Sequence, residues 1–296
     1  MTGRAPRRPA DERSPFRPDL LEGRTILVTG GGSGLGLAMA REFLSLGATV
    51  VITGRNRERL EAAAEELAPR PEALVLRTVN VRDPEAVEGL VEGLEREGPG
   101  APDTLVNNAA ANFLAPSEDL SPNAFRAIEE TVLHGTFYLS VSCGRRMKEA
   151  GGGDILNIST TYAETGSPFV APSAAAKGGV LALTRSLAAE WAEYGIRVNA
   201  VAPGSFPTPG AWSRLVPGRD AEEAMLGRIP LGRFGEAPEL ARTAAFILSD
   251  AAPYITGECV TVDGGASPAH GSQFGRLLER PRDEVLDLLR KLKEGG

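Results

Sequence analysis

The sequence predicts an α/β fold, a single doubly wound Rossmann-type domain whose parallel sheet is flanked by helices on both faces. Three observations predict it. Short, continuously apolar runs rich in Val, Ile and Leu recur along the chain, as strands buried on both faces require. Helical stretches alternate with them, the pattern of parallel neighbours joined by crossovers. A glycine cluster stands directly between the first strand and the first helix. With 296 residues, 42% of them hydrophobic and 24% charged, the chain holds enough apolar material for one large core.

The elements follow in order. Thr25–Thr29 reads as the first strand, and 35–46 as the helix after the glycines. Residues 48–52 form the second strand and 57–67 the second helix; 74–79 and 84–95 repeat the unit. Residues 104–106, 154–158 and 197–201 continue the series with helices between them, and 259–262 supplies a last strand. No internal repeat or clean linker divides the chain. Residues 1–20, rich in Arg and Pro, are expected to be a flexible or surface-draped N-terminal arm, with Asp11, Glu12 and Asp19 arguing against a targeting peptide. Residues 21–266 are expected to form the catalytic domain. Residues 267–296 are then a C-terminal appendage, with Val285, Leu286, Leu288 and Leu289 as one apolar face of a short helix.

Composition excludes several function classes. A net charge of −7 argues against a general nucleic-acid binder or a polybasic membrane-surface protein. No apolar run approaches the ~20 residues of a membrane span. Two cysteines (Cys143, Cys259) and two histidines (His134, His270) make neither a disulfide framework nor a zinc cage, so no metal is expected and the cytoplasm is the expected setting.

The chemistry begins in the glycine loop, Gly30-Gly31-Gly32-Ser33-Gly34-Leu35-Gly36. Glycines there allow a sharp turn, close approach of backbone to a pyrophosphate and tight helix–strand packing. Free N–H groups and the helix dipole then hold the phosphates. The end of the second strand carries Thr53-Gly54-Arg55-Asn56-Arg57 and no acid before Glu58. An NAD site places an acid there, whereas Arg55 suits a 2′-phosphate, so NADP is the expected cofactor.

With these residues in place, the chain over residues 22–266 resembles the short-chain dehydrogenase/reductase family. The resemblance rests on Thr29-Gly-x-x-x-Gly-x-Gly36, Asn107-Asn-Ala109, Asn157-Ile-Ser-Thr160, Pro203-Gly204 and Asp263-Gly-Gly265. That family places Tyr four residues before Lys on one helix, where the ammonium lowers the phenol pKa. Here Lys177 is preceded at that distance by Ser173. Either the chain is a binding protein that has lost its acid, or the phenol is relocated to Tyr162, two residues after Thr160.

The segment from Ile158 to Lys177, with Asn107–Phe113, Leu120–Asn123 and Gly204–Leu215, closely resembles the NADPH-dependent 2,4-dienoyl-CoA reductases of mitochondrial type. The resemblance implies that Tyr162, Asn112, Ser173 and Lys177 are catalytic, in an auxiliary step of unsaturated fatty acid β-oxidation. It further implies cofactor contacts from Arg55, Asn80, Val81, Asn108, Lys177, Pro203, Gly204, Ser205 and Phe206, with Thr208 a further partner. An acyl-CoA thioester would meet Arg55, Arg82, Phe113, Ser121 and Arg214. A homotetramer built on helices 122–149 and 173–194 is also implied. Three departures stand out: Asn80 replaces an Asp that contacts adenine, His134 an Asn that kinks its helix, and Ala111 a glycine. The competing readings are a reductase of 2-enoyl-CoA or carbonyl substrates and a non-catalytic NADP sensor.

Overall fold

The computed structural model describes residues 13–67, 71–208, 212, 218–271, 275, 277 and 280–294. Its centre is a seven-stranded sheet, wholly parallel, in the order β3-β2-β1-β4-β5-β6-β7. The strands are β1 (Thr25–Thr29), β2 (Thr49–Gly54), β3 (Leu74–Thr78), β4 (Thr104–Asn107), β5 (Gly153–Ile158), β6 (Ile196–Pro203) and β7 (Cys259–Val262). The order reverses between β1 and β4, and a ligand crevice is expected at the carboxyl ends of strands that part at such a point.

The helices are α1 (Gly34–Ser45), α2 (Arg57–Glu66), α3 (Pro84–Glu97), α4 (Pro122–Glu129), α5 (Gly135–Ala150), α6 (Tyr162–Thr165), α7 (Ala171–Trp191), α8 (Arg219–Gly227), α9 (Ala237–Leu248), α10 (Ala266–Gly271) and α11 (Arg282–Glu294). None among the described residues is long and apolar enough to cross a membrane.

The period of two along each strand divides the core. Ile26, Val28, Val50 and Ile52 point to one face, where they meet Met39 and Phe43 of α1 and Leu240 and Ala244 of α9. Leu27 and Val51 point to the other, against Val91 and Leu94 of α3, Leu139 and Met147 of α5 and Leu187 of α7. Fully burying each such side chain contributes about 1.5–3 kcal/mol. A smaller cluster, Ile128, Val132, Ala176 and Val180, joins α4 to α7 and supports the partly buried Phe113.

A local feature departs from the sequence expectation. Residues 122–149 are not one continuous helix: a π-turn, Glu130–His134, separates α4 from α5. Such turns interrupt helices near functional sites. Where α5 begins, a Cβ on Gly135 would come within 2.9 Å of Val81, so a glycine lets this helix approach the end of β3. Residues 13–20, the described part of the expected arm, are draped on the domain: Ser14 Oγ donates to Glu42 at 2.6 Å and Phe16 packs on the core. Residues 1–12 lie outside the described residues. Of the apolar face expected on the last helix, Val285 is buried whereas Leu286 and Leu289 are exposed.

The amino ends of the strands carry a paired charge network. Asp154 of β5 receives Arg197 of β6 at 2.7 Å and Arg24 at 3.2 Å. The second guanidinium nitrogen of Arg197 donates to the carbonyls of Ile247, Ala252 and Ile255 at 2.9, 3.0 and 3.2 Å. Asp103 caps β1 by accepting from the Thr25 amide at 2.8 Å. Burial pushes Asp154 up to about 6 against the attraction of the two arginines.

Candidate active site

The carboxyl ends of the strands open into a cleft of about 1140 Å³. It runs from Arg55, Asn56 and Arg59 at one end, past the glycine loop, to Asn112, Tyr162, Ser173 and Lys177 at the other. Gly30 adopts φ 65°, left-handed backbone that glycine tolerates best. A Cβ on Gly36 would sit 2.4 Å from the Gly30 carbonyl oxygen, so the loop folds this tightly only with glycine there. Asn108 ties the loop to β4: its side-chain amide donates to the Thr29 carbonyl at 2.9 Å, and its backbone N–H donates to the Thr29 hydroxyl at 2.9 Å. Ser33 starts α1 without a side-chain cap, so the first-turn amides stay available to the cleft.

At the other end, three side chains from three segments meet. Asn112 Nδ2 donates to the Tyr162 hydroxyl at 3.0 Å, and Ser173 Oγ lies 3.1 Å from that hydroxyl. The Phe113 amide donates to Asn112 Oδ1 at 2.9 Å, which fixes the side chain so that its NH₂ faces Tyr162. Lys177, one turn along α7 from Ser173, is buried and donates to the Ile158 carbonyl. Burial pushes its ammonium down to about 8. Behind these residues Asn107 donates to Asn157 at 2.9 Å and to Ser140 at 3.1 Å, and Asn157 donates to Thr184 at 2.9 Å. That buried chain of bonds fixes the ends of β4 and β5 against α5 and α7.

Two hydroxyls on the lining are buried and have no partner among the described residues, Thr53 Oγ1 and Ser159 Oγ. A buried hydroxyl left unpaired costs free energy, and at such a site the deficit points to a ligand. The tight glycine loop, the uncapped helix and these hydroxyls fit a dinucleotide. Among the described residues no group of three His, Cys, Asp or Glu side chains is arranged to hold a metal ion.

The matches to known proteins agree with this geometry. A family model described as enoyl-(acyl carrier protein) reductase matches residues 30–267. A crystal structure of a short-chain dehydrogenase from Bacillus anthracis is 42% identical, covers 84% of this chain and 98% of its own, and superposes with a TM-score of 0.77. The chain belongs to the short-chain dehydrogenase/reductase family. It is therefore an oxidoreductase. A gluconate 5-dehydrogenase from Burkholderia cenocepacia, solved in complex with NADP and tartrate, is 34% identical over 85% of this chain and 98% of that one, with a TM-score of 0.79. A Bacillus subtilis protein named "Probable 2,4-dienoyl-CoA reductase [(2E)-enoyl-CoA-producing]" is 42% identical over 247 residues, 83% of this chain and 97% of its own. The peroxisomal 2,4-dienoyl-CoA reductase [(3E)-enoyl-CoA-producing] of Arabidopsis thaliana is 38% identical over 284 residues, 90% of this chain and 95% of its own.

Against this family frame, several sequence expectations find different surroundings. Arg82, expected at a CoA phosphate, forms an ion pair with Glu130 of the π-turn. Ser121, expected along the substrate path, caps α4 by accepting from the Ala124 amide at 3.1 Å. Phe206, expected beside the nicotinamide, is buried and so close to Gly235 that a Cβ there would fall 2.5 Å from its ring. Phe113 packs on the α4–α7 cluster beside the cleft, and Arg214 lies outside the described residues. His134 ends the π-turn with its ring 6.1 Å from that of Tyr138, off the cleft lining. Gly30, Gly32, Ser33, Gly34, Leu35, Asn80, Val81 and Thr208 do line it. So do Thr53, Arg59, Thr131 and Ser159, which sequence reasoning missed. Arg59 was findable, because it stands in the first turn of α2, whose cap Asn56 directly follows Arg55.

Proposed function

We propose that the protein uses NADPH to reduce a conjugated 2,4-dienoyl-CoA to a 3-enoyl-CoA. The observation that carries this reading is the Asn112–Tyr162–Ser173 contact, which brings a phenol into the cleft from α6, just beyond β5, although a serine stands four residues before Lys177. Bound NADPH supplies a hydride. In a dienoyl thioester the δ carbon accepts it and negative charge gathers on the thioester oxygen. Tyr162 and Asn112 donate hydrogen bonds to that oxygen, and removing one such donor typically costs about 3 kcal/mol in the transition state. Ser173 orients the phenol, and Lys177 holds the nicotinamide ribose. A proton from solvent water then adds to the α carbon of the dienolate and completes the reaction. No alkoxide forms at the carbon that takes the hydride, so no acid is needed at position 173.

NADP over NAD is supported by the basic far end of the cleft. Arg55 and Arg59 line it, no ion pair among the described residues engages either, and no carboxylate is on that part of the lining. The guanidinium of Arg55 also suits a CoA phosphate as a second anionic partner. Assembly as a tetramer through α4, α5 and α7 is supported by the exposed Phe125 and Phe137 on the first two. Cytoplasmic residence accords with two free thiols, Cys143 and Cys259, that burial pushes up to about 12 and 11 and so keeps unreactive.

The test is NADPH oxidation with trans-2,trans-4-hexadienoyl-CoA beside crotonyl-CoA. The expected result is rapid consumption with the dienoyl substrate alone; tight NADPH binding without turnover sinks the reading. A second product is favoured by the name of the Bacillus subtilis relative, which specifies a (2E)-enoyl-CoA. Proton NMR of the product decides between protonation at the α carbon and at the γ carbon.

A further inference from the structure

Among the described residues Phe169 alone is a non-glycine with positive φ, at 64°. A bulky side chain rarely adopts this left-handed conformation, and such outliers persist where the surroundings enforce them, often at functional sites. The surroundings here are specific. The Ala115 amide donates to the Phe169 carbonyl at 3.0 Å, so the loop after β4 and the loop before α7 are joined by their backbones. The same two segments are joined a few residues inward by Asn112 and Tyr162. Phe169 therefore stands at the outer end of a pair of loops whose inner end is the reacting centre.

The forced backbone does not bury the ring. Phe169 is 59% exposed and Leu114, next to Ala115, is 45% exposed. Both loops are apolar over this stretch, Phe113-Leu114-Ala115-Pro116 against Pro168-Phe169-Val170. Below them Phe113 continues into the buried cluster of Ile128, Val132, Ala176 and Val180. A lip that is polar within and apolar without matches a molecule with a polar reacting head and a hydrocarbon tail. The pantetheine arm of CoA carries two amides that need partners, and this lip offers no polar side chain for them.

We infer that Phe169 and Leu114 form the apolar lip that holds the acyl chain of the substrate beyond its reacting carbons, and that Phe169 sets the chain-length preference. The inference rests on the acyl-CoA reading above and assigns the selection for tail length to the two loops that adjoin the reacting centre, outside the cleft lining itself.

The experiment is calorimetric titration of the NADP⁺-loaded full-length protein with butyryl-CoA and with decanoyl-CoA, for the wild type, Phe169→Gly and Phe169→Leu. The decanoyl-to-butyryl affinity ratio is expected to fall about tenfold in Phe169→Gly and to recover largely in Phe169→Leu. Glycine tolerates φ 64°, so the melting temperature of Phe169→Gly should not fall. Equal losses for both ligands assign the ring to the pantetheine and overturn the inference, as does no loss for either. A lower sedimentation mass for Phe169→Gly assigns the ring to a contact between copies and also overturns it. Failure of the wild type to bind any acyl-CoA while it binds NADP⁺ removes the acyl-CoA reading itself, and the lip with it.

Discussion

The two ends of the sheet use polar groups in opposite ways. At the amino ends of β1, β5 and β6, Asp154 meets two arginines, and one of them, Arg197, also satisfies three backbone carbonyls. At the carboxyl ends, Thr53 and Ser159 have buried hydroxyls without a partner among the described residues, the ammonium of Lys177 is buried with a carbonyl for company, and Arg55 faces an open cleft. One end satisfies its hydrogen-bonding groups within the chain, and the other, behind its Asn107–Asn157 network, leaves several of them open to a ligand. The contrast marks where stability ends and function begins, and mutation can attack it from either side.

The largest effect is expected at the reacting centre. Tyr162→Phe should lower kcat for a dienoyl-CoA about 100- to 1000-fold, the usual loss when one donor to a developing oxyanion is removed. Stability should change by only about 1 kcal/mol, because the hydrogen bonds of the phenol with Asn112 and Ser173 are partly solvated. Stopped-flow turnover beside urea unfolding measures both, and an unaltered kcat eliminates Tyr162 as the donor to the thioester oxygen.

Arg197→Met tests the other end. It leaves Asp154 with one arginine and three carbonyls without their donor, and breaking a pair of this kind costs about 3–5 kcal/mol. The urea midpoint should fall accordingly, while kcat of the folded enzyme at 25 °C stays that of the wild type. A stability loss below about 1 kcal/mol contradicts the view that this end is structural.

At Lys177 stability and function oppose each other. Its ammonium is held at about 8 by burial, against 10.5 ordinarily. Below pH 8 the lysine is charged in both states, and the folded state bears the cost of burying that charge. Between pH 8 and 10.5 the folded state is neutral first and the cost disappears, so this lysine makes stability rise with pH across that window. Lys177→Met should therefore stabilise the cofactor-free protein at pH 7 by about 2 kcal/mol, with the advantage fading towards pH 10.5. NADPH affinity, read by fluorescence, should fall in the same variant. A variant less stable than the wild type at pH 7 overturns the argument.

The sheet was legible in the sequence for the reason the core is buried on both faces. Runs such as Thr25–Thr29 are continuous apolar stretches because each alternate side chain has a helix to meet. The glycine loop was legible because its spacing follows from sterics alone. The meeting of Tyr162 with Asn112 joins residues fifty positions apart, and no local pattern encodes it; only the resemblance brought them together beforehand. The ion pair of Arg82 with Glu130 depends on the π-turn, whose wide hydrogen bonding has no side-chain period to betray it. Phe206 is buried against the core, and sequence distance from a motif does not reveal such burial.

The smallest expected effect separates two hydroxyls close to β5. Thr184 accepts from Asn157 at 2.9 Å and donates to the Val180 carbonyl at 2.8 Å. Thr184→Val strands the Asn157 amide and should cost about 1–2 kcal/mol, with little change in cofactor affinity. Among the described residues Ser159 has no such partner, so Ser159→Ala should leave stability within about 0.5 kcal/mol of the wild type or raise it slightly. Its consequence should instead be a few-fold weaker binding of NADPH, visible in a fluorescence titration. A stability loss in Ser159→Ala equal to that of Thr184→Val means the hydroxyl is satisfied from within, and the carboxyl end is then closed at that point like the amino end.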